Sequence, residues 1–319
     1  MRDREALVRV VSPGREPFGD WELMASVQDL KRRIRSVTNT RKITRALELV
    51  AAAKLRRAQT RIEAMRPYAD TMSDLIAGVG RAASSVRSLP LLQQRESVET
   101  VLIVPLTGDR GLAGAFNGQV LRRAFSLERA LEAEGKKVRW VAVGKKGRST
   151  LTFRGRDASD AYVGFSDGPS YADAQVIAHR VADLYTEQEV DRVVLVYNTF
   201  VSALTQSVTD RDILPISPDV LETDDEERRD DALRGDFIFE PEPDEILARL
   251  LPVYLETQVY RALLESAASF QGAQMTAMRN ASKNAGELID RVTLQMNRAR
   301  QAEITQEILE VVGGAEALA

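Results

Sequence analysis

The sequence predicts an α/β protein: a long antiparallel coiled coil of N- and C-terminal helices with an inserted α/β, Rossmann-like domain. Three observations lead there. Residues 253–312 contain no proline and only two glycines, Gly272 and Gly286. Residues 27–78 carry a second long apolar stripe. Between them, strand-like and helix-like stretches alternate, the pattern of a mostly parallel sheet.

The C-terminal run sets the terms. A helix of roughly 60 residues is on the order of 90 Å long, far more than one small domain can cover. Met275, Met278, Ser282, Ala285, Ile289, Val292, Met296 and Ala299 alternate in steps of three and four, the 3.5-residue repeat of a left-handed coiled coil. Beyond Ala299 the rhythm loosens. A polar cluster, Arg300, Gln301, Glu303, Thr305, Gln306 and Glu307, gives way to the apolar tip Ile308, Leu309, Val311 and Val312. An apolar helix end of this kind belongs inside a partner.

The N-terminal helix repeats the pattern with Val27, Leu30, Ile34 and Val37, then Leu47, Ala51, Leu55, Ala58, Ile62 and Met65 after a polar patch. Pro67, which lacks an N–H, is expected to bend or unwind it, and Gly78 and Gly80 to end it. Between Lys31 and Arg66 its charge is lopsided: Lys31, Arg32, Arg33, Arg35, Arg41, Lys42, Arg45, Lys54, Arg56, Arg57, Arg61 and Arg66 face only Glu48 and Glu63. Such an excess repels itself and calls for an acidic partner. Nucleic acid is disfavoured because the stripe has no interleaved aromatics and no base-reading motif.

In the middle region Val101 to Val104 reads as a buried strand, 118–134 as a helix, 138–143 as a strand, 171–187 as a helix, 192–197 as a buried strand and 202–216 as an edge strand. The turn Gly108-Asp109-Arg110-Gly111-Leu112-Ala113-Gly114 lies where phosphate loops lie, but it fits neither the dinucleotide fingerprint nor the Walker A loop. A tight structural turn is the favoured reading. Gly144-Lys145-Lys146-Gly147 opens a short helix and is weaker still as a phosphate site. Residues 82–97 read as a polar connector and 222–231 as a charged loop. Pro241, Pro243 and Asp244 introduce the last helix, with Pro252 expected to kink its first turns. Residues 1–23 read as a disordered leader or a mis-assigned start, with Met24-Ala25-Ser26 a second start. The domains are therefore 1–23, 24–81, 82–240 and 241–319.

Composition excludes several classes of function. The chain has 319 residues, 44% of them hydrophobic and 29% charged, with a net charge of -3, which suits a folded soluble protein. No run of about 18 apolar residues predicts a membrane span. There is no cysteine, and the only histidine, His179, lies in a helical pattern and reads as a surface or packing residue. No metal cluster, nucleophile–base pair or cofactor site is implied.

The end blocks resemble one family closely. Ile304-Thr305, Glu307, Glu310, Gly314-Ala315 and Ala317, with Asn297-Arg298-Ala299-Arg300-Gln301 upstream, resemble the gamma subunit of the F-type, proton-translocating ATP synthase. Ile34-Arg35-Ser36-Val37-Thr38-Asn39-Thr40-Arg41-Lys42-Ile43-Thr44-Arg45-Ala46 and Val50-Ala51-Ala52-Ala53-Lys54 form a second matching block. Met275 to Ala281, Asp109-Arg110-Gly111-Leu112 and Tyr197-Asn198 add shorter pieces. Leu47 stands where the family commonly has Met, a change of similar volume. The absence of cysteine excludes the thiol switch of the chloroplast type.

The resemblance implies a central-stalk rotor that couples proton-driven c-ring rotation to conformational cycling of the beta subunits. It implies alpha, beta and epsilon subunits and the c-ring as partners, no catalytic role, and a peripheral place on the cytoplasmic face of a bacterial membrane. Contacts with the alpha/beta ring would fall to Arg300, Gln301, Thr305, Glu307, Ile308 and Val312 on the last helix and to Arg41, Lys42 and Lys54 on the first. The alternative is a stand-alone coiled-coil scaffold.

Overall fold

The computed structural model describes residues 26–83, 89–217, 220 and 240–316. The leader at 1–23 and the charged loop at 222–231 lie outside them. Helix α1 spans Val27–Ala82 and helix α5 spans Pro243–Glu316. Between them lie β1 (Thr100–Pro105), α2 (Phe116–Ala133), β2 (Lys137–Val143), α3 (Lys145–Phe153), β3 (Ala158–Tyr162), α4 (Tyr171–Thr186), β4 (Arg192–Phe200) and β5 (Gln206–Leu214).

The five strands form one sheet in the order β3-β2-β1-β4-β5. β1 pairs in parallel with β2 and β4, β2 pairs in parallel with β3, and β4 pairs antiparallel with β5. Strand pleating sends neighbouring side chains to opposite faces. Val101 and Ile103 pack under α2 with Val120, Ala124 and Leu131. Leu102 and Val104 face the other way, onto Ile177, Val181 and Leu184 of α4. That second face also receives Met72, Ile76 and Val79 of α1 and Leu247, Leu251 and Leu255 of α5. The long helices are therefore part of the core of the α/β domain.

The chain divides into two compact units. The larger, Arg45–Asn280, holds the sheet and the adjoining parts of α1 and α5. Within it the two helices run antiparallel: Glu48 meets Arg279, Ala51 and Leu55 pack with Ala268 and Met275, and Ile76 shares a cluster with Leu247. The smaller unit is formed by the other ends of both helices, where Arg41 lies against Gly286 and Leu30, Ala285 and Val292 are buried.

The seam on α1 is more regular than its apolar residues alone suggested. Leu30, Ile34, Val37, Arg41, Thr44, Glu48, Ala51, Leu55, Ala58, Ile62, Met65, Ala69, Met72, Ile76 and Val79 alternate in steps of four and three, and all but Arg41 are buried or half-buried. The polar patch that interrupts the apolar stripe is thus no gap: Thr44 and Glu48 occupy seam positions and are buried.

Packing sets where the helices run. The assigned helix runs through Pro67 and Pro252 without interruption. Each proline removes one backbone donor, but the flanking Met72 and Ile76, and Leu247, Leu251 and Leu255, are fixed in the core. Gly78 and Gly80 do not end α1, which continues to Ala82 because Val79 still packs on the sheet. The connector contributes Leu91 and Leu92 to the same core. β3 is a strand the sequence did not announce.

Thr107, just after β1, shows how closely the strand ends are packed. Its Oγ1 donates to the Val143 carbonyl at 2.7 Å and accepts from the Gly147 N–H at 2.8 Å. Gly144 has φ 90°, and a Cβ there would lie 2.1 Å from the Thr107 carbonyl oxygen. Only glycine fits.

Ile76 is fully buried where α1 meets the sheet. Ile76→Ala is expected to lose about 2–5 kcal/mol of unfolding free energy, measured by urea titration of the full chain.

Candidate functional site

In α5, every residue from 300 to 315 is exposed. The reason follows from the pairing. Arg41 lies against Gly286, and the helices are antiparallel, so the start of α1 at Val27 falls level with the region of Arg300. Beyond that point α5 has no helix beside it among the described residues.

The tip also turns away from the seam. Continued from Val292, Met296 and Ala299, the seam would fall on Glu303, Gln306 and Glu310. The apolar residues stand instead at Ile304, Ile308 and Val311, one or two positions on, each position being ~100° around the helix. Ile308 is 57% exposed and Val311 is 73% exposed. Among the described residues nothing covers this apolar stripe, which lies off the axis of the helix pair. The polar residues are similarly unengaged. Thr305 Oγ1 donates to the Gln301 carbonyl one turn back at 2.9 Å, and Gln306 bonds Glu310 at 2.9 Å. The side chains of Arg300, Gln301 and Glu307 bond nothing among the described residues. Val312, like Ile308, is exposed.

The basic run of α1 is sorted by the structure. Lys54 Nζ bonds Asp167, in the loop before α4, at 2.8 Å. Arg110 joins the same carboxylate at 3.5 Å. Lys54 thus ties α1 to the α/β domain. Arg45 and Arg279 share Glu48. Arg41 lies along the backbone at Gly286, which has no side chain to obstruct it. Lys31, Arg33, Arg35, Lys42, Arg56 and Arg57 form no ion pair among the described residues, and all are exposed. These leave a basic surface without an internal counter-charge.

The crevice where strand order reverses, between β1 and β4, is where α/β sheets commonly take ligands. Beside it, the turn after β1 is held by the protein's own groups. The Asp109 carboxylate accepts from the Lys145 N–H at the start of α3 at 3.0 Å, from the Gly164 N–H at 2.9 Å, and from the Ser166 N–H and hydroxyl at 3.2 and 2.9 Å. A helix N-terminus attracts an anion, and this one already has its own. Burial works against the charge of Asp109, but these bonds outweigh it and hold its pKa below the usual aspartate value. Gly108 meets Phe270 of α5, whose ring stands edge-on to Phe116 at 5.4 Å between centroids. The Gly108 N–H bonds Asn117 Oδ1 at 2.8 Å. The loop is a structural turn docked on α5.

His179 Nε2 donates to the Glu256 carboxylate at 2.7 Å. The same carboxylate takes Tyr171 at 2.7 Å and Gln175 at 3.0 Å. These three residues lie a turn apart on α4, so the network docks that helix on α5. Tyr171 begins α4, where Ser170 and Asp173 form a capping box. Glu48, Asp167 and Glu256 were not singled out from the sequence as contacts. For Glu48 a signal existed, its seam position.

A family model described as ATP synthase matches residues 26–318. The ATP synthase gamma chain of Rubrobacter xylanophilus is 47% identical over 93% of this chain and 99% of its own length. A chain from the central stalk and c-ring structure of the Tetrahymena thermophila mitochondrial ATP synthase is 26% identical, with a TM-score of 0.54, covering 75% of this chain and 99% of that one. A chain from the Euglena gracilis mitochondrial ATP synthase has a TM-score of 0.64 at 19% identity, covering 92% and 94%.

The depressed pKa of Asp109 carries a pH signature. A carboxylate with a lowered folded pKa contributes stability above its unfolded pKa and loses it as pH falls through the folded value. Asp109→Asn should therefore lower stability at neutral pH and flatten its decline below about pH 4. Thermal unfolding across that range checks it.

Proposed function

The chain belongs to the ATP synthase gamma-chain family, and we propose that it is the central-stalk rotor whose α5 tip turns within the alpha/beta ring. The observation that carries this reading is the exposed end of α5: it runs past the start of α1 with its apolar stripe rotated off the seam. A soluble helix end of this composition needs an apolar sleeve, and a ring of subunits provides one.

Mechanical coupling follows from asymmetry. A single rod inside a ring of like sites touches each site differently. A partner shifts a conformational equilibrium only through contacts that differ between the states. Turning the rod moves those differential contacts from one beta subunit to the next, and nucleotide affinity follows. Arg300, Gln301, Thr305 and Glu307 would grip the ring, Ile308 and Val312 would run against its apolar wall, and Arg41 and Lys42 would face acidic segments of the beta subunits. Lys54 would act at one remove, by holding α1 to the α/β domain through Asp167.

The rotor itself does no bond chemistry in this reading; the turn after β1 makes its contacts within the chain, Asp109 with Lys145 and Gly108 with Phe270. The α/β domain would meet the epsilon subunit and the c-ring, whose proton-driven rotation supplies the torque. The protein would sit peripherally at the cytoplasmic face of a bacterial membrane. Among the described residues no helix is long and apolar enough to cross one.

Arg300→Ala and Gln301→Ala should lower ATP-driven proton pumping in the assembled enzyme while leaving the chain folded by circular dichroism. Pumping equal to the unsubstituted enzyme would remove these residues from the coupling path.

A further inference from the structure

We propose that Glu48 is a positioning residue that locks the register of α1 against α5, so that the two helices turn as one shaft. The proposal rests on the rotor reading above and deepens it.

Glu48 occupies a seam position on α1, flanked along the stripe by Thr44 and Ala51. It is buried, at 4% exposure. Both carboxylate oxygens are used. Oε1 accepts from Arg279 Nε on α5 at 3.0 Å, and Oε2 accepts from Arg45 Nη1, one turn back on α1, at 2.7 Å. The bond from Arg279, opposed by burial and reinforced by Arg45, holds the pKa of Glu48 below the usual glutamate value.

A coiled-coil seam of small apolar residues tolerates slippage, because one heptad resembles the next. A polar residue at a seam position opposes it, since only one register gives it a partner. The geometry here makes the discrimination sharp. Sliding one helix by a heptad would place Gly272 or Gly286 of α5 where Arg279 now stands. Neither offers a cation, so the buried carboxylate would keep Arg45, which moves with it on α1, and lose its partner on α5. Nearby seam residues, Ala51, Leu55, Ala268 and Met275, pack but carry no such direction. Arg45 and Arg279 also lie at the limits of the larger compact unit, Arg45–Asn280. The lock is built into the last turn that both helices contribute to the unit bearing the sheet.

Two measurements test this. The chain has no cysteine, so Arg41→Cys and Gly286→Cys can be joined specifically by a short bifunctional thiol reagent in the full-length chain. Glu48→Ala should lower the cross-linking yield several-fold, and unchanged yield would overturn the lock. In the assembled synthase, Glu48→Ala should reduce protons pumped per ATP hydrolysed several-fold while ATP hydrolysis persists. The exchange Glu48→Arg with Arg279→Glu keeps the charges and moves the carboxylate to α5, so it should recover most of that ratio. A wild-type ratio in Glu48→Ala, or an exchange no better than either single variant, would overturn the proposal. If Glu48→Ala fails to assemble, Glu48→Gln, which keeps the shape and loses the charge, is read by the same ratio. Failure of the unsubstituted chain to assemble would strike the rotor reading instead, and the cross-linking result would stand apart from it.

Discussion

The seam between α1 and α5 has to satisfy two demands with one set of residues. In the larger unit the same helices that close on each other also cover one face of the sheet. Leu251, Leu255, Val259 and Leu263 of α5 join Ile76 and Val79 of α1 in a single cluster with Leu102 and Val104 of β1. Ser269 reaches back to the Asn198 carbonyl at 3.0 Å, and Phe270 closes the turn after β1. Burial of this kind is worth roughly 1.5–3 kcal/mol per large apolar side chain. The helix pair is thus held to the α/β domain by its core and not by a hinge.

That shared burial explains why charges are placed as they are. The helices cannot gain more apolar surface near residue 48 without thickening a seam of small residues. Specificity there comes from a carboxylate with two guanidinium partners. Farther along α1, Lys54 and Asp167 fix the loop before α4, and on α5 Glu256 gathers Tyr171, Gln175 and His179. Each lies where helix meets domain and where sliding would be costly. Toward the end of α5 no pairing with α1 or the sheet domain is found among the described residues, and the side chains are exposed.

Residue by residue, legibility in the sequence followed burial geometry. β1 and β4 were readable because they are covered on both faces and so are continuously apolar. β3, Ala158-Ser159-Asp160-Ala161-Tyr162, is a short edge strand with a mixed pattern, and its sequence resembles a loop. The exposure of Ile308 to Val312 was readable because an apolar run past the end of the seam pattern is visible as composition. Glu48 and Lys54 were not, because their partners lie 231 and 113 residues away along the chain. A basic run reads as one charged face until the fold assigns its members, some to internal carboxylates and some to solvent.

The account's central claim is that this chain turns inside the ring. Phe153, at the end of α3, is 87% exposed, and a Phe153→Cys substitution gives a single labelling site on the α/β domain. With the alpha/beta ring anchored and ATP supplied, a probe on that cysteine should rotate in one direction, at a rate that follows hydrolysis. ATP hydrolysis at full rate with the labelled domain stationary would contradict the claim.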